Sequence, residues 1–295
     1  MRMTTKLGMA IFAIALPASQ ASAERIFGLT QGNSIVTFDS ATPGVTTSSG
    51  SIGGLGGDTL IGLDLRPANR MLYSVGTSGN LYLISKNAVG RNYTASVVGT
   101  LGTAPSGSSY GLDFNPVVDR LRVVSDTNQN LRINPTTGAA IVDTPVTLNG
   151  SSNVDLVAVG YRNSRAGATS TVLYGLDSVS DSFVRATNAN AGTYVTTNVR
   201  GQAFGDLGFK FGSGDRVSLD ISGGSNQAFF TINDGFYTVG QLSGFGAFVG
   251  NIGTSGITGI TAGSVPEPTT WLLMIGGFGL VGSAMRRRAT RVVAA

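Results

Sequence analysis

The chain contains no cysteine and no histidine, and glutamate occurs only at positions 24 and 267. Without cysteine there are no disulfides, no thiolate nucleophile and no sulfur metal ligands. Without histidine the commonest general base and transition-metal ligand is missing, and a Ser-His-Asp triad is excluded. Charged residues make up only 12% of the sequence. Sustained helical periodicity is also missing between residues 24 and 263. What is abundant is glycine, with 43 residues, set among short runs of Val, Ile, Leu, Phe, Tyr and Thr.

The two ends stand apart from this pattern. Arg2 and Lys6 precede an apolar run from Leu7 to Leu16, which Pro17 ends, and Ala21-Ser22-Ala23 offers an A-x-A cleavage site. Residues 1–23 therefore read as a signal peptide, with Ala21 and Ala23 at the cleavage site and Glu24 as the first mature residue. At the other end, Pro266-Glu267-Pro268 is followed by an uncharged run from Thr269 to Met285 and then by Arg286, Arg287 and Arg288. Seventeen residues at ~1.5 Å each give a helix of about 26 Å, close to the hydrocarbon thickness of a bilayer. Trp271 suits the interface, and the arginines favour the cytoplasmic side. The plain reading is a single transmembrane anchor. The order of Pro-Glu-Pro, apolar span and arginine cluster over residues 264–295 also resembles the PEP-CTERM sorting signal of Gram-negative bacteria with exopolysaccharide systems. That resemblance implies recognition by exosortase, a membrane enzyme, after export by the Sec machinery. It implies a protein anchored at first in the membrane and then held at the cell surface or released.

The sorting segments account for the basic balance of the whole chain. Residues 24–263 hold 14 Lys and Arg against 15 Asp and Glu, which leaves −1. No nucleic-acid partner is expected of such a domain.

The segment 24–263 reads as all-β. Met71-Val75, Leu81-Ile84, Leu121-Val124, Leu131-Ile133, Val172-Tyr174 and Phe229-Ile232 are strand-like runs between turn residues. An internal repeat suggests the architecture. Gly62-Leu63-Asp64-Leu65-Arg66-Pro67 matches Gly111-Leu112-Asp113-Phe114-Asn115-Pro116, and Asn80-Leu81-Tyr82-Leu83 matches Asn130-Leu131-Arg132-Ile133. Glycines at 62, 111, 160, 208 and 259 continue the recurrence, with spacings of 49, 49, 48 and 51. Four short strands per period fit a β-propeller, here five-bladed, with a β-sandwich or irregular solenoid as the alternative. Arg25-Leu29 and Ser34-Phe38 look like second and third strands of a blade, and Ile257-Thr261 could supply its first strand and close the ring.

On that register the residues two after each repeat glycine line a central channel: Asp64, Asp113, Arg162, Lys210 and Thr261. Asp113 and Arg162 would then form an ion pair between neighbouring blades. Alternatively, Asp64 and Asp113 hold a ligand or cation. The run Ile26-Phe27-Gly28-Leu29-Thr30, the two Gly-Leu-Asp segments, Asp119-Arg120-Leu121-Arg122-Val123-Val124 and Asn130-Leu131-Arg132-Ile133-Asn134-Pro135-Thr136-Thr137-Gly138 resemble the bacterial domain of unknown function 4394. The resemblance covers residues 24–255 and implies a propeller-like fold without an assigned activity.

Candidate chemistry is thin. Asp126, Asn128 and Asn130 alternate as calcium-loop ligands do, but Leu131 replaces the required glycine and no acid stands at position twelve of the loop. Gly53-Gly54-Leu55-Gly56-Gly57 lacks the helix and lysine of a phosphate cradle. Any carboxylate pair for glycoside hydrolysis must be Asp-Asp, because the core holds no glutamate beyond Glu24. The expectation is a non-catalytic surface or matrix protein without a cofactor, associated with polysaccharide. The alternative is a secreted hydrolase or lyase.

Overall fold

Short apolar runs separated by turn-forming residues produce strands and little else. The computed structural model describes residues 23–263, and every regular element among them is a strand. The hairpin turns use residues that tolerate a left-handed backbone, as at Asn33 (φ 51), Asp119 (φ 51), Asn128 (φ 62) and Asn233 (φ 54). Among the described residues no helix is long and apolar enough to cross a membrane. The signal-peptide expectation, apart from Ala23, lies outside the described residues. So do the apolar C-terminal run and the sorting residues Pro266, Glu267, Pro268, Arg286, Arg287 and Arg288.

The strands group into five antiparallel meanders of four. Unit I contains β1 (Arg25–Thr30), β2 (Ser34–Asp39) and β3 (Thr42–Gly53). Its first strand comes from the far end of the fold, β21 (Ile257–Gly263), which pairs with β1 through Ile26↔Ala262 and Gly28↔Ile260. Unit II runs through β4 (Asp64–Leu65), β5 (Leu72–Val75), β6 (Asn80–Lys86) and β7 (Tyr93–Thr100). Unit III runs through β8 (Tyr110–Asn115), β9 (Arg120–Ser125), β10 (Asn130–Ile133) and β11 (Ala140–Val142), and a short β12 (Thr147–Leu148) follows it. Unit IV comprises β13 (Leu156–Tyr161), β14 (Leu173–Asp177), β15 (Ser182–Asn188) and β16 (Thr193–Val195). Unit V comprises β17 (Val217–Ile221), β18 (Ala228–Ile232), β19 (Gly235–Val239) and β20 (Gly246–Asn251).

The first strands stand side by side in a closed order: β21 beside β4, then β8, β13, β17 and back to β21. The outer edges are stapled by short parallel pairs, Ile52↔Tyr93 from unit I to unit II and Thr147↔Thr193 from β12 to unit IV. The arrangement is propeller-like.

The apolar core lies between units rather than within them. One cluster joins units I and II around Leu29, Leu63 and Tyr82. Another joins II and III around Val75, Phe114 and Leu131. Val124 and Val146 meet Val159 and Tyr194 between III and IV, and Leu176 and Phe183 meet Leu219 and Phe230 between IV and V. Ile26 and Phe38 meet Phe229 and Phe236 between V and I. Inner sheets are therefore covered on both faces. This is why β13, β14 and β17 are buried at every position instead of alternating in and out.

A buried carboxylate cluster at the ring centre

The first strands present one equivalent position per unit, which backbone hydrogen bonds identify. Asp64 Oδ2 accepts from Phe114 N at 2.7 Å, and Asp113 Oδ1 accepts from Tyr161 N at 3.1 Å. Asp220 Oδ2 accepts from Ala262 N, and Thr261 Oγ1 accepts from Leu65 N at 3.2 Å. In each case a side chain binds the residue just after the equivalent position on the next first strand. The series is Asp64, Asp113, Gly160, Asp220 and Thr261. Gly160 has no side chain to continue it, and Asp220 Oδ1 instead accepts from Ile221 N at 2.7 Å.

Three acids thus converge. One oxygen from each of Asp64, Asp113 and Asp220 lies within 4.8 Å of the others. Their exposures are 2%, 1% and 3%, so none is solvated. Burial pushes the Asp64 carboxyl up to about 8, helped by the charge of Asp220 and opposed by donors from Phe114, Thr261 and Leu65. Burial likewise raises Asp113 well above the ordinary range, reinforced by Asp64 and Asp220. Asp220 is raised by burial despite its backbone donors, and the Glu24 charge adds to the rise. No arginine or lysine forms an ion pair with any of the three among the described residues. Asp113 Oδ2 is buried without a hydrogen-bond partner. Chemically this is an oxygen-only cluster, suited to protons or to a hard cation.

The two ends of the cluster differ. On one side a cavity of about 110 Å³ is lined by Asp64, Asp220 and Thr261 together with Arg70, Ser164 and Arg165. On the other only about 10 Å³ remains between Gly62, Gly111 and Gly259. These glycines permit close strand approach: a Cβ at Gly111 would sit 2.6 Å from Val159 N, and one at Gly259 would sit 3.1 Å from Leu63 N.

The other sequence candidates fall elsewhere. Arg162 lies just beyond β13, two residues past Gly160, and makes no ion pair with Asp113. The correction has a simple cause: Gly160 occupies the aspartate position of its unit, and Ala158 the repeat-glycine position. Lys210 is exposed in the segment before β17, which lengthens that period and shifts the true position to Asp220. The expected calcium ligands do not converge either. Asp126 accepts from Ser108 N and Ser109 N, Asn128 donates to Ser152 O, and Asn130 accepts from Arg122 Nη1 at 2.6 Å. Sequence reasoning missed Asp220, although Leu219-Asp220-Ile221 copies the Leu-Asp-apolar triplets at 63–65 and 112–114.

A family model described as Domain of unknown function (DUF4394) matches residues 34–261. The chain belongs to the DUF4394 family. A PEP-CTERM protein-sorting motif matches residues 264–288, directly after this DUF4394 domain, and marks an exported protein processed by exosortase. No curated protein matches the chain. Among solved structures, the glutaminyl cyclase of Myxococcus xanthus is similar at 16% identity, over 71% of this chain and 90% of that one, with a TM-score of 0.42. A chain of a nidogen/laminin complex is similar at 8% identity, over 82% and 98%, with a TM-score of 0.45. The Dos1 propeller is similar at 12% identity, over 77% and 63%, with a TM-score of 0.41.

Proposed function

We propose that this DUF4394 protein is a surface or matrix component whose five meanders are the blades of a five-bladed propeller used for binding, not for catalysis. In this reading the chain is exported by the Sec machinery, held briefly by its C-terminal span, and then sorted. The partner is a neutral polysaccharide of the extracellular matrix. The observation that carries the reading is a cavity of about 490 Å³ where the first strands begin, lined by Gln31, Thr59, Thr77, Ser108, Tyr110 and Asp215, among others. Hydroxyl and amide groups beside an aromatic ring match the hydrogen-bonding and stacking needs of uncharged sugars. Only one carboxylate lines it, whereas glycoside hydrolysis needs two. Asp215 is also committed, accepting from Gly212 N and Asn233 Nδ2 at 2.7 Å each.

The second reading, a hydrolase or lyase, draws support from the three central acids, whose raised proton affinities suit a general acid. Their near-complete burial counts against contact with a polymer. Incubating the purified protein with extracellular polysaccharide separates the two. Retention on the polymer without release of reducing ends supports binding. Turnover that Asp113→Asn abolishes would replace the binding reading with the enzymatic one.

A further inference from the structure

The ring centre combines three features: three carboxylates in mutual contact range, full burial, and no ion pair to any of them among the described residues. We infer that Asp64, Asp113 and Asp220 bind one hard divalent cation, calcium by size, which ties units II, III and V together at the axis. This goes beyond the polysaccharide reading and does not depend on it.

The geometry carries the inference. The candidate ligand oxygens lie within 4.8 Å of one another, and closing those separations to about 4.2 Å places all three at a calcium–oxygen distance of about 2.4 Å. Three oxygens at such separations can share one ion. Magnesium, at roughly 2.1 Å and strict octahedral geometry, fits this loose set less well. A second observation is independent of the clustering. Asp113 Oδ2 is buried and accepts no amide or hydroxyl hydrogen bond, although its partner oxygen is held by Tyr161 N; its side-chain neighbour is the Asp220 carboxyl, which satisfies it only while the two share a proton. An acceptor left bare inside a protein is costly, and a bound cation satisfies it. Glu24 Oε2 is likewise buried without a partner, and its charge bears on Asp220.

The surroundings hold the carboxylates as ligands. Main-chain amides of Phe114, Tyr161, Ala262 and Ile221 each donate to one of them, which fixes their orientation. Thr261 donates to Asp64 Oδ1 at 2.8 Å, so the fourth oxygen-bearing position of the ring serves as support for a ligand. The cavity of about 110 Å³ bordered by Asp64, Asp220 and Thr261 gives an ion a route from one face. The aspartates also sit where an ion does the most for the fold. Each belongs to a different first strand, and no disulfide is available to hold the strands together.

The test uses the purified full-length chain, stripped with a chelator and then dialysed against calcium or magnesium. Calcium should be retained at one ion per chain by elemental mass spectrometry. With a dissociation constant near 10 μM, 1 mM calcium should raise the melting temperature by roughly 5–10 °C over the chelated protein. Magnesium should give a smaller rise. Asp113→Asn and Asp220→Asn should each weaken calcium binding at least tenfold, while Asp126→Asn should leave it unchanged. No retained calcium, with the same melting temperature in calcium and in chelator, overturns the inference even if neither central variant folds. Full calcium response in Asp113→Asn overturns it as well, and an equal or larger magnesium shift overturns the assignment to calcium. None of these readouts involves polysaccharide, so failure here leaves the binding function standing.

Discussion

Two groups of buried acid are solved in opposite ways within one ring. At the interface of units III and IV, Asp143 is matched by arginines: Arg122 Nη1 at 2.8 Å and Arg132 Nε at 2.7 Å. Arg122 is 1% exposed, and its guanidinium donates four hydrogen bonds, to Asp143, Asn130 Oδ1, Asn190 Oδ1 and the Tyr161 hydroxyl. At the centre, Asp64, Asp113 and Asp220 have backbone and threonine donors but no paired cation among the described residues. The contrast is sharpest across one strand pair. Asp113 and Arg122 are direct partners in the β8–β9 register, yet Arg122 is committed to the neighbouring cluster. Charge of the opposite sign was within reach of the centre and was used elsewhere. The ion pair sits within unit III, and Arg122 carries the link to unit IV through Tyr161 and Asn190. A cluster of carboxylates without an ion-pair partner makes its link conditional on protons or on an ion.

The largest expected effect breaks the paired side. Arg122→Ala leaves Asp143 short of a partner and three polar groups unsatisfied, and should cost about 3–5 kcal/mol in denaturant unfolding. Asp113→Asn, measured in chelator, should cost less than about 1 kcal/mol or stabilise, because it removes one of three mutually repelling acids. Equal losses for the two variants would erase the distinction. Gly111→Ala comes next. Its Cβ would meet main-chain atoms of Ala158 and Val159 at 2.6–2.9 Å, so β8 must move away from β13, at about 1–3 kcal/mol by thermal unfolding. Gly259→Ala, whose nearest neighbour would be at 3.1 Å, should cost less.

The paired and unpaired groups were not equally legible in the sequence. The first two copies of the repeat placed Asp64 and Asp113 on neighbouring first strands, because Gly-Leu-Asp-apolar survives intact in both. The closing strand was legible too: the first blade lacked a first strand before Glu24, and Ile257-Thr261 could supply it. Register was lost in unit IV, where Gly160 occupies the aspartate position. A glycine column cannot separate a glycine needed for close approach from one that merely lacks a side chain. It was lost in unit V because the segment before β17 pushes Asp220 60 residues past Gly160, well beyond the period. The Arg122–Asp143 pair left no signal at all. Its members sit in unremarkable positions of β9 and the loop after β11, and only the docking of unit IV brings Asn190 and Tyr161 to them.

Acidity should separate the two groups further. Asp64 keeps its proton in the fold until about pH 8, whereas an unfolded aspartate loses it near 3.9. Between those values the folded state holds more protons than the unfolded one, so in chelator the stability should fall as pH rises through that window. Asp113 and Asp220 act in the same direction. Asp64→Asn should flatten the slope. Denaturant midpoints between pH 4 and 9 in chelator measure it, and a rising profile that Asp64→Asn leaves unaltered would contradict the burial argument.

The smallest effect comes from Asp58, a half-buried acid before β4, and its sign is opposite. Burial tends to raise Asp58, but hydrogen bonds from Ser78 N and Oγ, Thr77 Oγ1 and the Tyr82 hydroxyl outweigh it and hold the carboxyl below its usual value. Asp58 thereby pins the β5–β6 turn to the segment leading into β4. Asp126 does the same for unit III through Ser108 and Ser109, and Asp177 for unit IV through Asp155 N. A group with depressed affinity contributes fully above the unfolded value and loses that contribution as pH falls through the folded one. Asp58→Asn should therefore cost on the order of 0.5–1.5 kcal/mol at pH 7 and progressively less below about pH 4. The same residue type, 6 positions from Asp64 in the chain, would then respond to acid in the reverse sense, because solvated donors surround one carboxyl and other carboxyls surround the other.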